Sequence, residues 1–361
     1  MNRNELFDEI ISMLPVKQVD KEFRTDISLC LKKYISLLEG LDITVKQSIT
    51  DWNLKYDRIK KITEAIKYII KLQYQGLHSS AFTTLQNQML GTGGIKGGGI
   101  LDKISHYSLI QGALLYRMRT FEDKKDKTYK DMFHIPLNMR GIVKTQRYSM
   151  PGYPCLYLGK TIYACWEELQ RPPIDSCMVS CIKVDSDMEL LDLRFPSPIN
   201  WISSFENYLF LLPLIFVCSI VTKNPNDTFK PEYIIPQLLI EFIINQNKKC
   251  PHNKLQGIIY TSTLKNNDFG FWYDVFENVA IPVIEVLSNQ KYCPQLANSF
   301  KITNPTCDEY EQIRCPYGFD GGTYDSKTEE EEAKERYSLS LMGKIEKRLK
   351  EKVDNEFYRI D

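Results

Sequence analysis

The sequence predicts an α+β protein, and three observations carry that reading. Apolar residues recur at helical spacing through residues 1–90. A glycine-rich break follows at 91–99. From about Ser108, short apolar runs bounded by turn residues alternate with helical stretches. Four segments result: a helical region at 1–90, a glycine-rich linker or lid at 91–107, a mixed domain at 108–290, and an extension at 291–361 carrying a charged helix.

The first helix places Leu6, Ile10, Ile11 and Leu14 on one face, and Pro15 stops it. Ile27, Leu31, Tyr34 and Leu38 define a second. Ile59, Ile62, Ile66, Ile69, Ile70 and Tyr74 define a third over 45–77, with Gly76 as its terminator and a solvated lysine face. Six of the nine residues at 91–99 are glycine, too many for a regular helix, and no Lys-Ser/Thr pair completes a phosphate loop. Residues 109–120 carry an apolar run into Tyr116 and Arg117, followed by a charged loop (121–132) and an extended connection around Pro136. A turn at Pro151-Gly152 leads into the strand 155–158. Gly159 breaks it, and a helix follows at 162–169. Strands are expected at 178–184 and 188–193, joined by a turn. The apolar run at 209–221 reads as a buried core element, and 231–245 as a helix with Pro236 in its first turn or at a kink. A buried strand at 256–262 precedes an edge strand at 279–286, placed at the edge because it contains Pro282. Residues 318–324 read as a turn, and 327–352 as a helix that starts acidic and ends basic, as the helix dipole favours.

Composition excludes several functions. Lys+Arg and Asp+Glu both number 46, which argues against a broad nucleic-acid footprint. The ten cysteines form no C-x-x-C pair and no zinc set, so no metal is expected and the thiols read as buried in a reducing cytosol. The first residues lack the basic and apolar regions of a signal peptide, and the run at 209–221 is shorter than the ~17–25 residues of a spanning helix. A cytoplasmic protein without a membrane segment is expected.

Four groups carry the candidate chemistry. Arg117 ends an apolar strand, where its planar donor fork suits a pyrophosphate. Arg147 precedes the turn into the strand 155–158. Glu167 and Glu168 are adjacent in a helix, so their side chains point about 100° apart and only one can face a given pocket. Trp166 between them reads as core. Tyr148 and Tyr157 either stack on a ring or fill core.

In order along the chain, Tyr116-Arg117, Arg147, Leu156-Tyr157-Leu158-Gly159 and Ala164-Cys165-Trp166-Glu167-Glu168-Leu169 resemble the RES-domain family over roughly 110–285. The resemblance implies an ADP-ribosyltransferase-like core of two packed small sheets with flanking helices. It implies NAD as substrate and a bacterial toxin or defence effector that hydrolyses or phosphorolyses the nicotinamide–ribose bond. An ADP-ribosyltransferase acting on a macromolecule and a degenerate binding module are the alternatives. Arg117 and Arg147 match the family's arginines, and Glu168 its glutamate, with Glu167 as the fallback. Arg117, Arg147, Tyr148, Tyr157 and Gln237 are thereby expected to hold NAD. The family's serine has no counterpart before Gln237, and Ser262 is the substitute candidate. An enzyme that depletes NAD implies an antitoxin or a self-inhibited state, with 1–90 and the glycine hinge as its place, unless the helical region makes a homodimer.

Overall fold

The computed structural model describes residues 1–20, 22–95, 98–104, 106–249, 255–264, 274–285, 290–308, 329–352 and 356–360. The expected turn at 318–324, Ile95's neighbours Lys96 and Gly97, and the ends of the segments expected at 279–286 and 327–352 lie outside these residues. Helices Arg3–Ser12 (α1), Phe23–Glu39 (α2), Ile43–Gln47 (α3), Trp52–Tyr74 (α4) and His78–Leu90 (α5) come first. Strands Tyr107–Leu109 (β1), Leu114–Thr120 (β2) and Cys155–Gly159 (β3) precede the short helix Ile162–Glu168 (α6). Cys177–Val184 (β4) and Met188–Leu193 (β5) follow, then Pro198–Ser203 (α7), Phe205–Cys218 (α8) and Ile234–Lys249 (α9). Leu255–Thr261 (β6), Glu277–Pro282 (β7), Pro294–Ser299 (α10), Phe300–Thr303 (β8), Glu329–Leu339 (α11), Leu341–Lys350 (α12) and Phe357–Tyr358 (β9) complete the described elements.

The chain divides into two compact units: 1–107 with 144–151 and 191–255, and 108–143 with 152–190 and 256–361. Residues 191–255, which the sequence analysis assigns to the mixed domain, thus cluster with the N-terminal helices.

The first unit is built on helices. Asn2 opens α1 with a capping box, its side chain accepting from Asn4 N and Glu5 N while Glu5 takes the Asn2 amide. The apolar run expected as a core element is α8, whose residues from Tyr208 to Cys218 are all buried. Pro213 sits inside that helix and has no N–H to give the carbonyl of Leu209, four residues earlier. The buried Tyr34 hydroxyl of α2 donates to that Leu209 carbonyl at 2.7 Å, and its ring meets Phe216 edge-on at 5.5 Å. One tertiary hydrogen bond therefore satisfies the acceptor that the proline orphans. Arg58 of α4, also buried, donates to Gly98 O, Gln88 O and Gln88 Oε1. This holds the far end of the glycine-rich stretch against the end of α5, so both ends of the stretch belong to the first unit. The expected helix over 45–77 is two helices, α3 and α4, separated at Ser48–Asp51. Pro236 lies in the first turn of α9, where a missing N–H costs nothing.

The second unit is organised by one sheet, in the order β1-β5-β6-β7-β3-β2-β4-β8-β9 among the described residues. This corrects the expectation of two packed sheets. β2 and β4 pair over seven positions from Leu114↔Lys183 to Thr120↔Cys177, and β3 and β7 over five. Between these two ribbons, β2 and β3 register at one position, Tyr116↔Gly159. The sheet is continuous there by a single pair. Two further expectations are corrected. β7 lies between β6 and β3 and is no edge strand; Pro282 is its last residue, where the absent N–H interrupts no interior ladder. The single terminal helix is two, because Ser340 ends α11 and caps α12 by accepting from Gly343 N at 3.1 Å.

His134 is buried in this unit. Its Nε2 accepts from Cys293 N at 3.0 Å, so Nδ1 carries the proton donated to Ile135 O at 2.8 Å. Burial pushes its pKa from 6.5 down to about 4, with Arg117 and Arg119 adding to the effect. A folded-state pKa below the unfolded value means the unfolded chain binds the proton first. Stability is therefore lost as pH falls from about 6.5 to about 4, by about 3 kcal/mol in all.

Two outcomes are expected. Tyr34→Phe lowers stability by about 1–3 kcal/mol by stranding the Leu209 carbonyl, and Pro213→Ala in the same chain recovers part of the loss; equal, additive losses in urea unfolding would refute the pairing. His134→Gln flattens the decline in stability between pH 6.5 and 4, measured by denaturation across that range.

Candidate functional site

Within the second unit, Arg117 stands where β2 and β3 part. Beyond the pair Tyr116↔Gly159 the ladder is not continued. The Arg117 side chain takes the place of a strand hydrogen bond, its Nη1 donating to the main-chain carbonyl of Tyr157 at 2.7 Å. Its Nε is buried and has no partner among the described residues, and no carboxylate there pairs with it. Burial, then the neighbouring Arg119, lowers its pKa from the usual 12.5 to about 9. It remains a cation at neutral pH, held in a place that penalises its charge. An anion is the group that would relieve this.

Helix α6 follows β3 directly. Gly159 makes the close turn possible: a Cβ there would stand 2.7 Å from Cys165 Sγ and 3.0 Å from Thr161 O. Thr161 caps the helix, accepting from Ala164 N at 3.0 Å while its hydroxyl donates to Val275 O at 2.8 Å. One face of α6, through Ile162 and Cys165, packs against Tyr116, Met118, Val179 and Cys181. The far end presents the two glutamates in different settings. Glu167 is buried and bound through both oxygens by Arg171, at 2.8 and 3.0 Å, and Arg171 stacks over Trp166. Glu168 is exposed, and its Oε1 accepts from the buried Asn278 side chain of β7 at 2.8 Å. The 100° offset between neighbours thus divides them into a tethered and a presented carboxylate. Gln170 and Arg171, immediately after, both adopt left-handed backbone, φ 63° and 54°. Non-glycine residues pay roughly 1–2 kcal/mol each for this conformation, and such strain gathers at functional sites. The Glu167–Arg171 pair and the Trp166 indole, which donates to Pro172 O at 2.8 Å, hold the turn.

Gly159 links the two sides of the site: it registers with Tyr116, next to Arg117, on β2 and with Asn278, which holds Glu168, on β7. Burial pushes the Cys165 thiol of α6 up to about 12, with the Gly159 backbone and Arg117 lowering it and Glu346 and Glu168 raising it. The residue next to Arg117 and the residue that holds Glu168 thus border one glycine, with Tyr157, half-buried on β3, supplying the carbonyl that holds the cation. Such a set can bind an anionic group and stabilise positive charge developing beside a carboxylate.

The other candidates have defined places. Ser262 is fully buried after β6; its Oγ accepts from Leu264 N at 3.1 Å and its amide donates to Phe276 O at 2.9 Å. Arg147, Tyr148 and Gln237 belong to the first unit. Arg147 donates to the carbonyls of Cys218 and Ile220 at 3.0 and 2.9 Å, closing the C-terminal end of α8, and lies over the Tyr233 ring. Gln237 donates through Nε2 to Thr145 Oγ1, Gln146 O and Ser149 O, holding the segment that carries Arg147 and the buried Tyr148. Among the described residues no three His, Cys, Asp or Glu side chains gather as a metal-binding group, and no helix is long and apolar enough to cross a membrane.

Sequence reasoning missed Asn278 and Arg171. Arg171 had a signal, an arginine four residues after Glu167. Asn278 had none, since it lies 110 residues from the carboxylate it holds.

Comparison with known proteins places one similarity beside this geometry. Over 210 residues, 54% of this chain, the sequence is 37% identical to "Putative toxin YopC" of Bacillus subtilis (strain 168), of whose length the match covers 46%. The chain thus spans about half the length of that curated relative. No family model matches the chain, and no solved structure does.

The geometry of Arg147 carries a test. Arg147→Lys keeps the charge but cannot donate to two carbonyls from one plane, so a loss of about 1–3 kcal/mol in stability is expected. Thermal unfolding of the variant measures it, and an unchanged midpoint would show the two bonds to be dispensable.

Proposed function

We propose that this chain is an NAD-consuming toxin that cleaves the nicotinamide–ribose bond, with Arg117 and Glu168 as its working pair. One observation carries the reading: a buried guanidinium whose Nε has no partner among the described residues stands where two strands part, and an exposed carboxylate is held by a buried amide, Asn278, that registers with Gly159 at that same parting. The similarity to a protein named as a putative toxin, and the RES-like order of residues around this pair, support it. The near-division of the sheet between β3 and β2 supports an ADP-ribosyltransferase-like cleft, because it leaves two ribbons joined by a single pair.

In this reading the pyrophosphate meets Arg117 Nε and offsets its desolvated charge. The C–N bond to ribose breaks with its electron pair leaving on nicotinamide, and positive charge grows on the sugar. Glu168, fixed through Asn278, stabilises that charge and orients the nucleophile, either water or phosphate. Glu167 is committed to Arg171 and acts as a brace for the turn. Arg147, Tyr148 and Gln237 are assigned here to the architecture of the first unit.

The decisive experiment is nicotinamide release from NAD by the full chain, with and without phosphate, beside Glu168→Gln, Asn278→Ala and Arg117→Ala. Release is expected to fall by about 100-fold or more in Glu168→Gln and by about tenfold in Asn278→Ala, with the fold retained. Dependence on phosphate separates phosphorolysis from hydrolysis, and label transferred from NAD to protein marks ADP-ribosyl transfer. The absence of both nicotinamide release and thermal stabilisation by NAD would overturn the proposal.

A further inference from the structure

A seven-residue helix such as α6 has no standing of its own, because nucleation costs more than its few internal hydrogen bonds return. Its first-turn amides need partners from elsewhere. Each of the first three has a side chain assigned to it. Ala164 N is taken by the cap residue Thr161. Ile162 N donates to Glu346 Oε1 at 2.6 Å, and Tyr163 N to the Tyr337 hydroxyl at 3.3 Å. The last two partners come from α12 and α11, about 180 positions along the chain. The Tyr337 hydroxyl in turn donates to Glu346.

This contact is built into the core. Glu346 is 5% exposed and Tyr337 4%. Ile345 and Leu349 of α12 pack in the same cluster as Ile162 and Cys165 of α6 and Tyr116 of β2. The two C-terminal helices meet so closely that a Cβ on Gly343 would stand 2.2 Å from Tyr337 O, which fixes the angle at which Glu346 is presented. Burial raises the pKa of Glu346, opposed by its hydrogen bonds from Tyr337 and Ile162 and by Lys350. A carboxylate at a helix N-terminus is favoured by the helix dipole, and here it is also a direct acceptor for an amide.

We propose that Glu346 and Tyr337 are positioning residues for the candidate catalytic carboxylate. By closing the N-terminus of α6, the C-terminal helix pair sets the orientation in which Glu168, at the other end, is offered to substrate. The functional half of this rests on the NAD reading above; the structural half does not. The C-terminal helices are then a working part of the site.

Hydrogen exchange and NAD turnover on the full chain test it, with Tyr337→Phe, Glu346→Gln and Glu346→Ala. Glu346→Ala is expected to speed exchange of the amides at 162–164 by about tenfold or more, Tyr337→Phe less, and Glu346→Gln, which keeps an acceptor for Ile162 N, least. Turnover should follow the same order through kcat, with KM within about twofold, and Glu346→Gln should restore it. If Glu346→Ala fails to fold, Tyr337→Phe, which keeps the ring, decides the question. Unchanged exchange at 162–164 in the folded variants overturns the proposal, as does faster exchange with undiminished kcat. A wild-type chain without NAD turnover overturns the NAD reading instead, and exchange alone then upholds or overturns the hold of Glu346 and Tyr337 on α6.

Discussion

A guanidinium stands where a strand hydrogen bond would otherwise be. Arg117 reaches the Tyr157 carbonyl just past the one registered pair between β2 and β3, and the rest of the second unit follows from that substitution. With an ordinary ladder the sheet would close and the side chain would have no role in it. With the arginine, the two ribbons stay joined at one point and part beside it. The arrangement is stabilised by a single charge-assisted bond, worth about 1.5–3 kcal/mol, against the cost of desolvating the cation. A carboxylate placed there would balance the charge better, and it would also fill the site.

The second constraint is that Glu168 stands at the end of a very short helix. α6 cannot supply rigidity, so it is imported at both ends. Glu346, Tyr337 and Thr161 close the first turn, while Asn278 holds Glu168 and Arg171 holds Glu167 at the last. The strained pair Gln170 and Arg171 is tolerable only because these contacts over-determine the turn. Neighbouring glutamates of identical chemistry thereby acquire different work: one is spent on the brace and the other is presented.

Local signals in the sequence were legible and long-range ones were not. Helical spacing located α1, α2 and α4, and the strand–glycine–helix pattern located β3 and α6, because each depends on residues within a few turns of one another. Pro236 at a first turn was readable for the same reason. Pro282 misled, since a proline marks an edge only when it lies inside a strand, and the strand's end could not be seen from composition. The single sheet, with β4 beside β2 and β8, depends on pairings between distant segments. Asn278 and Glu346 meet α6 from 110 and 184 positions away, and nothing local marks either residue. The rescue of Leu209 O by Tyr34 has the same character: the proline was visible, its compensating hydroxyl was not.

The two arginines show why residue order alone cannot assign roles. Arg117 and Arg147 look equivalent in sequence, each beside a tyrosine and each near the start or end of an apolar strand. The difference lies in how their donors are used. Arg147 directs its fork at two main-chain carbonyls at the end of α8 and lays its plane on Tyr233. That is the work of closing a helix, whose last carbonyls need donors. Arg117 spends one donor on Tyr157 and keeps a buried Nε without a partner among the described residues. An unsatisfied donor of that kind costs about 1–3 kcal/mol. In the NAD reading an anion removes that cost, so there it is Arg117, through the hydrogen bond unmet among the described residues, and not Arg147, that receives the pyrophosphate.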